Sequence, residues 1–94
     1  MNKLENARLE IDEIDKQLVE LIERRFTCVQ DVIAYKKEND LPIFDGDREA
    51  IIIHKNVERI QNEEIKPYFK NLYEEMLKIS KQYQQMILER EERN

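Results

Sequence analysis

The sequence predicts an all-α protein with one long helix followed by two shorter ones. Only one Gly and two Pro occur among the 94 residues, and 39% of the residues are charged. Apolar residues recur every three or four positions in three separate stretches, which is typical of amphipathic helices, whereas a half-buried strand would alternate with period two. A chain of this length suits one small domain, so we expect a single domain over residues 1–94.

The first helix is predicted over about residues 4–38, because no Pro or Gly interrupts residues 3–41. Its apolar stripe, called the α1 stripe below, comprises Leu4, Ala7, Ile11, Ile14, Leu18, Leu21, Cys28, Val32 and Tyr35. Such a helix would be roughly 50 Å long, whereas a compact domain of this size has a radius of gyration of about 12 Å. One chain could not cover the stripe, so we predict a homodimer. Cys28 is expected to be a small buried apolar side chain.

A loop is predicted over residues 39–46, with the sequence NDLPIFDG, because Pro42 and Gly46 interrupt the helical pattern. Asp45 and Asp47 are both candidate N-caps for the helix that follows. This second helix is predicted over about residues 47–61.

The third helix is predicted over about residues 66–89, with Pro67 in its first turn and a fraying tail after it. Its expected core stripe comprises Phe69, Leu72, Met76, Ile79, Tyr83 and Met86. A second set at four–three–four spacing places two neutral hydrogen-bonding side chains beside this stripe, or else forms an ordinary half-exposed edge; it comprises Tyr73, Leu77, Ser80 and Gln84.

Composition argues against several classes of function. A net charge of −5 gives no global support for nucleic-acid binding, and no apolar run is long enough to cross a membrane. The N-terminal sequence lacks the apolar core of a signal peptide, and a single Cys cannot form an internal disulfide, so a cytoplasmic location is expected. The single His and Cys lie far apart and are not spaced as metal ligands, so no metal is expected.

Arg25 occupies the one position of the α1 stripe where an apolar residue is due and a charge stands instead. Lys36 lies eleven residues later, at nearly the same helical angle, and Val32 lies between them. A guanidinium on a packed face needs an anionic partner. That partner could be a Glu of the same chain, in an internal salt bridge, or a ligand.

Arg8 lies about 25 Å from Arg25 along the same helix, so one chain could not bring both to one small molecule. In an antiparallel dimer, Arg8 of one chain could meet Arg25 of the other. Together with Lys36, Arg48, Glu49 and two neutral hydrogen-bonding side chains of helix three, they would suit a small dianion, because guanidinium groups pair with carboxylates. No pairing of nucleophile and base is evident, so covalent catalysis is not expected.

The sequence resembles the all-helical, AroQ-class chorismate mutases from about Leu4 to Ile87. The resemblance lies in four segments in the family's order: ARLEIDEIDKQLVELIERR, VIAYK, FDGDRE and LYEEMLKISKQYQ. It implies an intertwined homodimer that converts chorismate to prephenate, on the route to phenylalanine and tyrosine, without a cofactor.

The resemblance also implies a role for each site residue. Arg25 would bind a substrate carboxylate, Arg8 would come from the partner chain, and Ser80 would bond a carboxylate. Lys36 would contact a carboxylate and the ether oxygen, to which Gln84 would also donate. The remaining assignments are Glu49 as acceptor for the ring hydroxyl, helped by the backbone near Asp45; Arg48 as an orienting cation; and Val32, Ile52 and Leu77 as apolar walls.

Two alternatives remain open at the level of sequence. One is an isochorismate-pyruvate lyase of the same fold, although the resemblance implies a non-acidic residue at the position of Glu49 in such enzymes. The other is a non-catalytic helical module for dimerisation or regulation, in which a Glu neutralises Arg25.

Overall fold

The computed structural model describes residues 1–92 and contains three α-helices in that part of the chain. They are α1 (Lys3–Glu38), α2 (Gly46–Glu58) and α3 (Lys66–Glu92). The all-α prediction is therefore confirmed. None of these helices is both long and apolar enough to cross a membrane.

Helix α1 begins and ends at residues with clear capping roles. The Asn2 side chain accepts a hydrogen bond from the Glu5 backbone N–H at 2.9 Å, which caps the first turn. At the other end Asp40 has a positive φ of 55°, in the left-handed region that Asp tolerates better than most residues. The backbone N–H of Leu41 then donates to the Lys36 carbonyl at 2.8 Å, which turns the chain back toward α1.

Helix α2 starts one residue before its predicted first residue and ends at Glu58, three residues earlier than predicted. The Asp45 carboxylate caps it by accepting from the Arg48 backbone N–H at 3.1 Å. Its early end follows from a change of hydrogen-bond pattern, because Arg59 and Ile60 donate to carbonyls three residues back.

Lys66 ties the end of α2 to the start of α3. Its Nζ lies 2.8 Å from a Glu63 oxygen and 3.8 Å from a Glu58 oxygen. The hydrogen bond to Glu63, aided by the charge of Glu58, raises the pKa of Lys66, although partial desolvation acts in the opposite direction. The stabilisation that the charged Lys66 provides is fully present below the ordinary Lys pKa and is lost only as pH rises through the raised pKa of Lys66. It is therefore constant near neutral pH.

Helix α3 packs against both α1 and α2 and carries most of the core. The buried apolar side chains of residues 1–92 are Val29, Ile33, Tyr73, Leu77 and Ile87, of which Ile33 is the most completely enclosed. The Tyr83 ring meets Phe26 of α1 edge to face at 5.0 Å, and the Tyr73 hydroxyl accepts from Asn56 of α2 at 3.0 Å. Helix α3 runs to Glu92, three residues beyond its predicted end. The predicted fraying tail therefore begins as regular helix, and its last two residues, 93–94, lie outside the described residues.

The core face predicted for α3 is wrong, because the buried residues lie one position later in the sequence than the predicted ones. The buried set is Tyr73, Leu77, Ser80, Gln84 and Ile87, whereas Leu72 is 70% exposed and Ile79 is 49% exposed. Both sets have helical spacing and lie side by side on the helix. The sequence favours the more apolar set as the core, but the set that includes the polar Ser80 and Gln84 is the buried one.

Side chains of the α1 stripe are exposed within the single chain, including Cys28, whose burial stays a prediction that depends on a second chain. Leu4, Ile11 and Leu21 are more than half exposed. The described residues have a radius of gyration of 17.0 Å and extents of 55 × 28 × 15 Å, well above the value of about 12 Å for a compact domain. The chain by itself therefore leaves a long apolar surface in water.

Candidate functional site

All three helices and the loop before α2 line one pocket, with a volume of about 180 Å³. Ten of the eleven site residues predicted from the sequence line it: Arg25, Val32, Lys36, Asp45, Arg48, Glu49, Ile52, Leu77, Ser80 and Gln84. The exception is Arg8, which lies on α1 about 25 Å from Arg25 by helix geometry. The structure thus brings together every predicted residue that one chain was expected to supply.

Helix α1 supplies one wall of the pocket from residues that share a face. Arg25, Val29, Val32 and Lys36 are separated by four, three and four positions, so their side chains project from one side of the helix. Arg25 and Lys36 are half-buried. The Lys36 ammonium donates to the Ile43 carbonyl at 2.8 Å, which fixes it against the loop and leaves its other N–H groups for a ligand.

The first turn of α2 supplies the second wall. Capping by Asp45 sets the position of this turn, and Arg48 and Glu49 follow within it. The Glu49 side chain is 19% exposed, and its carboxylate forms an ion pair with Lys81 of α3 at 3.0 Å. Its negative charge is therefore held at the pocket, where it can accept a hydrogen bond.

Helix α3 supplies a buried polar floor. Ser80 and Gln84 are 7% and 6% exposed, beside the apolar Leu77. The Gln84 Nε2 donates to the Ser80 carbonyl at 3.3 Å, and its second N–H is available to a ligand. The Gln84 Oε1 is buried with no hydrogen-bond partner among residues 1–92. Such an orphaned polar atom is uncommon in a packed interior, and a molecule in the pocket could supply its missing donor.

The lining of the pocket has more positive than negative charge. Four cationic side chains and two carboxylates give it a net charge of +2, although the whole chain carries −5. Ion pairs within residues 1–92 join Lys37 to Glu91, Lys66 to Glu58 and Glu63, and Lys81 to Glu49. Arg25 therefore has no carboxylate partner in the described chain, and the internal salt bridge considered from the sequence is not formed there.

A larger cleft of about 270 Å³ lies between the C-terminal parts of α1 and α3. Its charged lining residues are one cation, Arg90, and one carboxylate, Glu91, so its lining has no excess charge. Positive charge and buried polar groups coincide only in the smaller pocket of the two, which is the candidate site for an anion.

Three lining residues were missed from the sequence, namely Val29, Ile43 and Lys81. Val29 fits the four–three–four spacing of the α1 wall, so helical geometry could have identified it. Lys81 directly follows Ser80 on α3, but many exposed Lys residues have comparable positions. Ile43 contributes from the loop, whose path no periodicity determines.

The model of a protein family described as chorismate mutase type II matches residues 7–85, which is most of the chain. No curated protein sequence matches the chain.

Proposed function

We propose, because the chain belongs to the chorismate mutase type II family, that it converts chorismate to prephenate. The observation that carries this proposal is the pocket with a net charge of +2, in which Arg25 has no carboxylate partner among residues 1–92 and the buried Gln84 amide keeps a second N–H for a ligand. Chorismate is a dianion with two carboxylates, an ether oxygen and a ring hydroxyl. Each of these groups has a chemically suitable residue in the pocket.

The cations would first fold the flexible substrate into the compact geometry that the rearrangement needs. Arg25 binds one carboxylate, for which its planar guanidinium is well suited, and Ser80 donates to a carboxylate from α3. Apolar contact with Val32, Ile52 and Leu77 encloses the carbon skeleton. Fixing both ends of the substrate removes rotational entropy from the barrier before the bonds change.

Lys36 and Gln84 would then stabilise the transition state. Breaking the carbon–oxygen ether bond increases negative charge on that oxygen, and both side chains can donate to it. A donor aimed at a charge that grows during reaction lowers the barrier more than it strengthens substrate binding. No residue forms a covalent bond to the substrate in this mechanism, and no proton transfer is needed.

Glu49 would accept a hydrogen bond from the ring hydroxyl, assisted by the backbone near Asp45. The neighbouring Arg48 orients the substrate from the same turn of α2. A lyase acting on isochorismate remains a second candidate from the sequence, but the acidic residue at position 49, held within the pocket, favours the mutase.

We also propose that the active protein is an intertwined homodimer and that each site takes Arg8 from the partner chain. The exposed α1 stripe supports dimerisation, because so apolar a surface is unusual on a monomer and a second copy of the chain would bury it. Helix geometry places Arg8 too far from Arg25 to serve the same site. A non-catalytic dimerisation module would also bury the α1 stripe, but it would not require an unpaired Arg25 in the pocket.

The activity is tested by supplying chorismate and isochorismate separately to the purified protein and following prephenate and released pyruvate. We expect prephenate from chorismate. Lys36→Ala should lower kcat/KM by about 10²–10³-fold, the usual effect of losing one donor to a developing oxyanion, while Lys55→Ala, an exposed Lys outside the pocket, should have little effect. Pyruvate from isochorismate without prephenate from chorismate would favour the lyase, and no reaction with either substrate would favour the non-catalytic module.

The Gln84 amide predicts a weak dependence of activity on pH, because it donates a hydrogen bond regardless of pH. We expect kcat/KM to persist from about pH 5 to 7.5. In Gln84→Glu the new carboxyl must be protonated to donate, so activity should fall as pH rises over this range. A wild-type rate that collapses toward neutral pH would contradict the role given to Gln84.

Sharing of each site between chains predicts complementation. Arg8→Ala and Lys36→Ala should each be nearly inactive as homodimers. A heterodimer of the two variants contains one site with both residues intact, so it should regain about half of the wild-type activity. Two differently tagged chains allow the heterodimer to be purified and verified before assay. Verified heterodimers that remain inactive would refute the shared site.

A further inference from the structure

Lys81 lines the pocket but has no part in the proposed mechanism. Its Nζ lies 3.0 Å from Oε1 of Glu49 and 3.1 Å from Oε2, so the ammonium contacts both carboxylate oxygens. The two side chains are 34% and 19% exposed, which places the pair at the edge of the pocket rather than on the open surface. Contact with both oxygens restricts rotation of the carboxylate, since rotation would break one of the two interactions.

A second contact joins Lys81 to the loop before α2. The Nζ atom lies 4.8 Å from the centroid of the Phe44 ring, within the range of a cation–π interaction. That ring lies close to the start of α2, where a Cβ added at Gly46 would be only 3.1 Å from the Phe44 Cζ. Lys81 thus links α3 to the residue just before the α2 N-cap and to Glu49 in the first turn.

We propose, on the basis of the function proposed above, that Lys81 is a positioning residue that orients the Glu49 carboxylate toward the ring hydroxyl of the substrate. A carboxylate has about four acceptor positions, so contact with Lys81 leaves positions for the hydroxyl. Lys81 itself needs no contact with the substrate. Its effect is exerted through Glu49 and through the first turn of α2.

A competing explanation for any effect of Lys81 is simple attraction of the dianion. Removing Lys81 would lower the net charge of the lining from +2 to +1. General attraction would act mainly on substrate binding and would weaken with added salt. Orientation of Glu49 acts on the geometry of the bound substrate and therefore mainly on kcat. The two explanations differ in which kinetic constant changes.

The first experiment compares Lys81→Met with Lys81→Arg, and uses Lys78→Met as the control, since Lys78 is exposed one turn earlier on α3 and does not line the pocket. We expect Lys81→Met to lower kcat about ten-fold, which corresponds to about 1.4 kcal/mol in the barrier, with a smaller change in KM. Lys81→Arg should recover most of the loss, and Lys78→Met should behave as wild type. A loss confined to KM and abolished by salt would overturn the proposal in favour of simple attraction.

A double-mutant cycle with Glu49→Gln provides the decisive measurement. If Lys81 acts through the carboxylate, adding Lys81→Met to Glu49→Gln should change kcat by less than about two-fold. A full ten-fold loss in the Glu49→Gln background would show that Lys81 acts independently of Glu49, which would overturn the proposal. Prephenate formation by the wild type is measured in the same series. Its absence would refute the proposed function, whereas an active wild type with an unaffected Lys81→Met would refute only the role of Lys81.

Thermal unfolding of each variant, followed by circular dichroism at one protein concentration, separates positioning from loss of fold. Should Lys81→Met fail to fold, Lys81→Gln removes the charge while keeping a polar side chain, and the same ten-fold fall in kcat is expected. A Lys81→Gln protein that is folded and fully active would contradict the proposal.

Discussion

The length of α1 determines which part of the chain packs into a core and which part stays exposed. This helix has 36 residues, yet its buried side chains are Val29 and Ile33, both in its C-terminal third. There α3 packs against it, and the pocket lies beside that contact. Most apolar residues of the N-terminal two thirds are exposed. One chain therefore packs the C-terminal third of α1 against α3 and leaves most of the α1 stripe before it uncovered.

The lining of the pocket has a net charge opposite in sign to that of the whole chain. The chain as a whole is acidic, with a net charge of −5, so it offers no general attraction to anions. The pocket concentrates cations on three separate elements and pairs only Lys81 with a carboxylate among residues 1–92. A half-buried Arg25 without such a partner is costly unless a ligand supplies the negative charge. The apolar lining strengthens the attraction, because it lowers the local dielectric constant around the cations.

Helical periodicity explains why so much of the site could be predicted. Arg25, Val32 and Lys36 share a face by spacing alone, and so do Leu77, Ser80 and Gln84. The resemblance to a known family predicts that these faces meet the first turn of α2, a contact that no local sequence pattern specifies. The core face of α3 was predicted wrongly because two neighbouring stripes have the same period, and the stripe that lines the site is the less apolar one.

Other features depend on local hydrogen bonds or on contacts between elements that no periodicity of the sequence specifies. The early end of α2 depends on local hydrogen bonds of Arg59 and Ile60, and no Pro or Gly in the sequence marks this end. The pairing of Lys81 with Glu49 spans 32 positions and depends on how α3 packs against α2. The position of Ile43 depends on the backbone of the loop and on its hydrogen bond from Lys36.

We infer that one chain supplies an incomplete site and that a second chain covers the α1 stripe and completes it. Sedimentation equilibrium, combined with activity measured at the same protein concentrations, tests this inference. We expect a species of twice the 11.5 kDa chain mass, and activity per chain that falls in parallel with dissociation on dilution. A Leu18→Glu variant, changed in the exposed α1 stripe far from the pocket, should be monomeric and inactive. A monomer of 11.5 kDa with full activity toward chorismate would contradict the account.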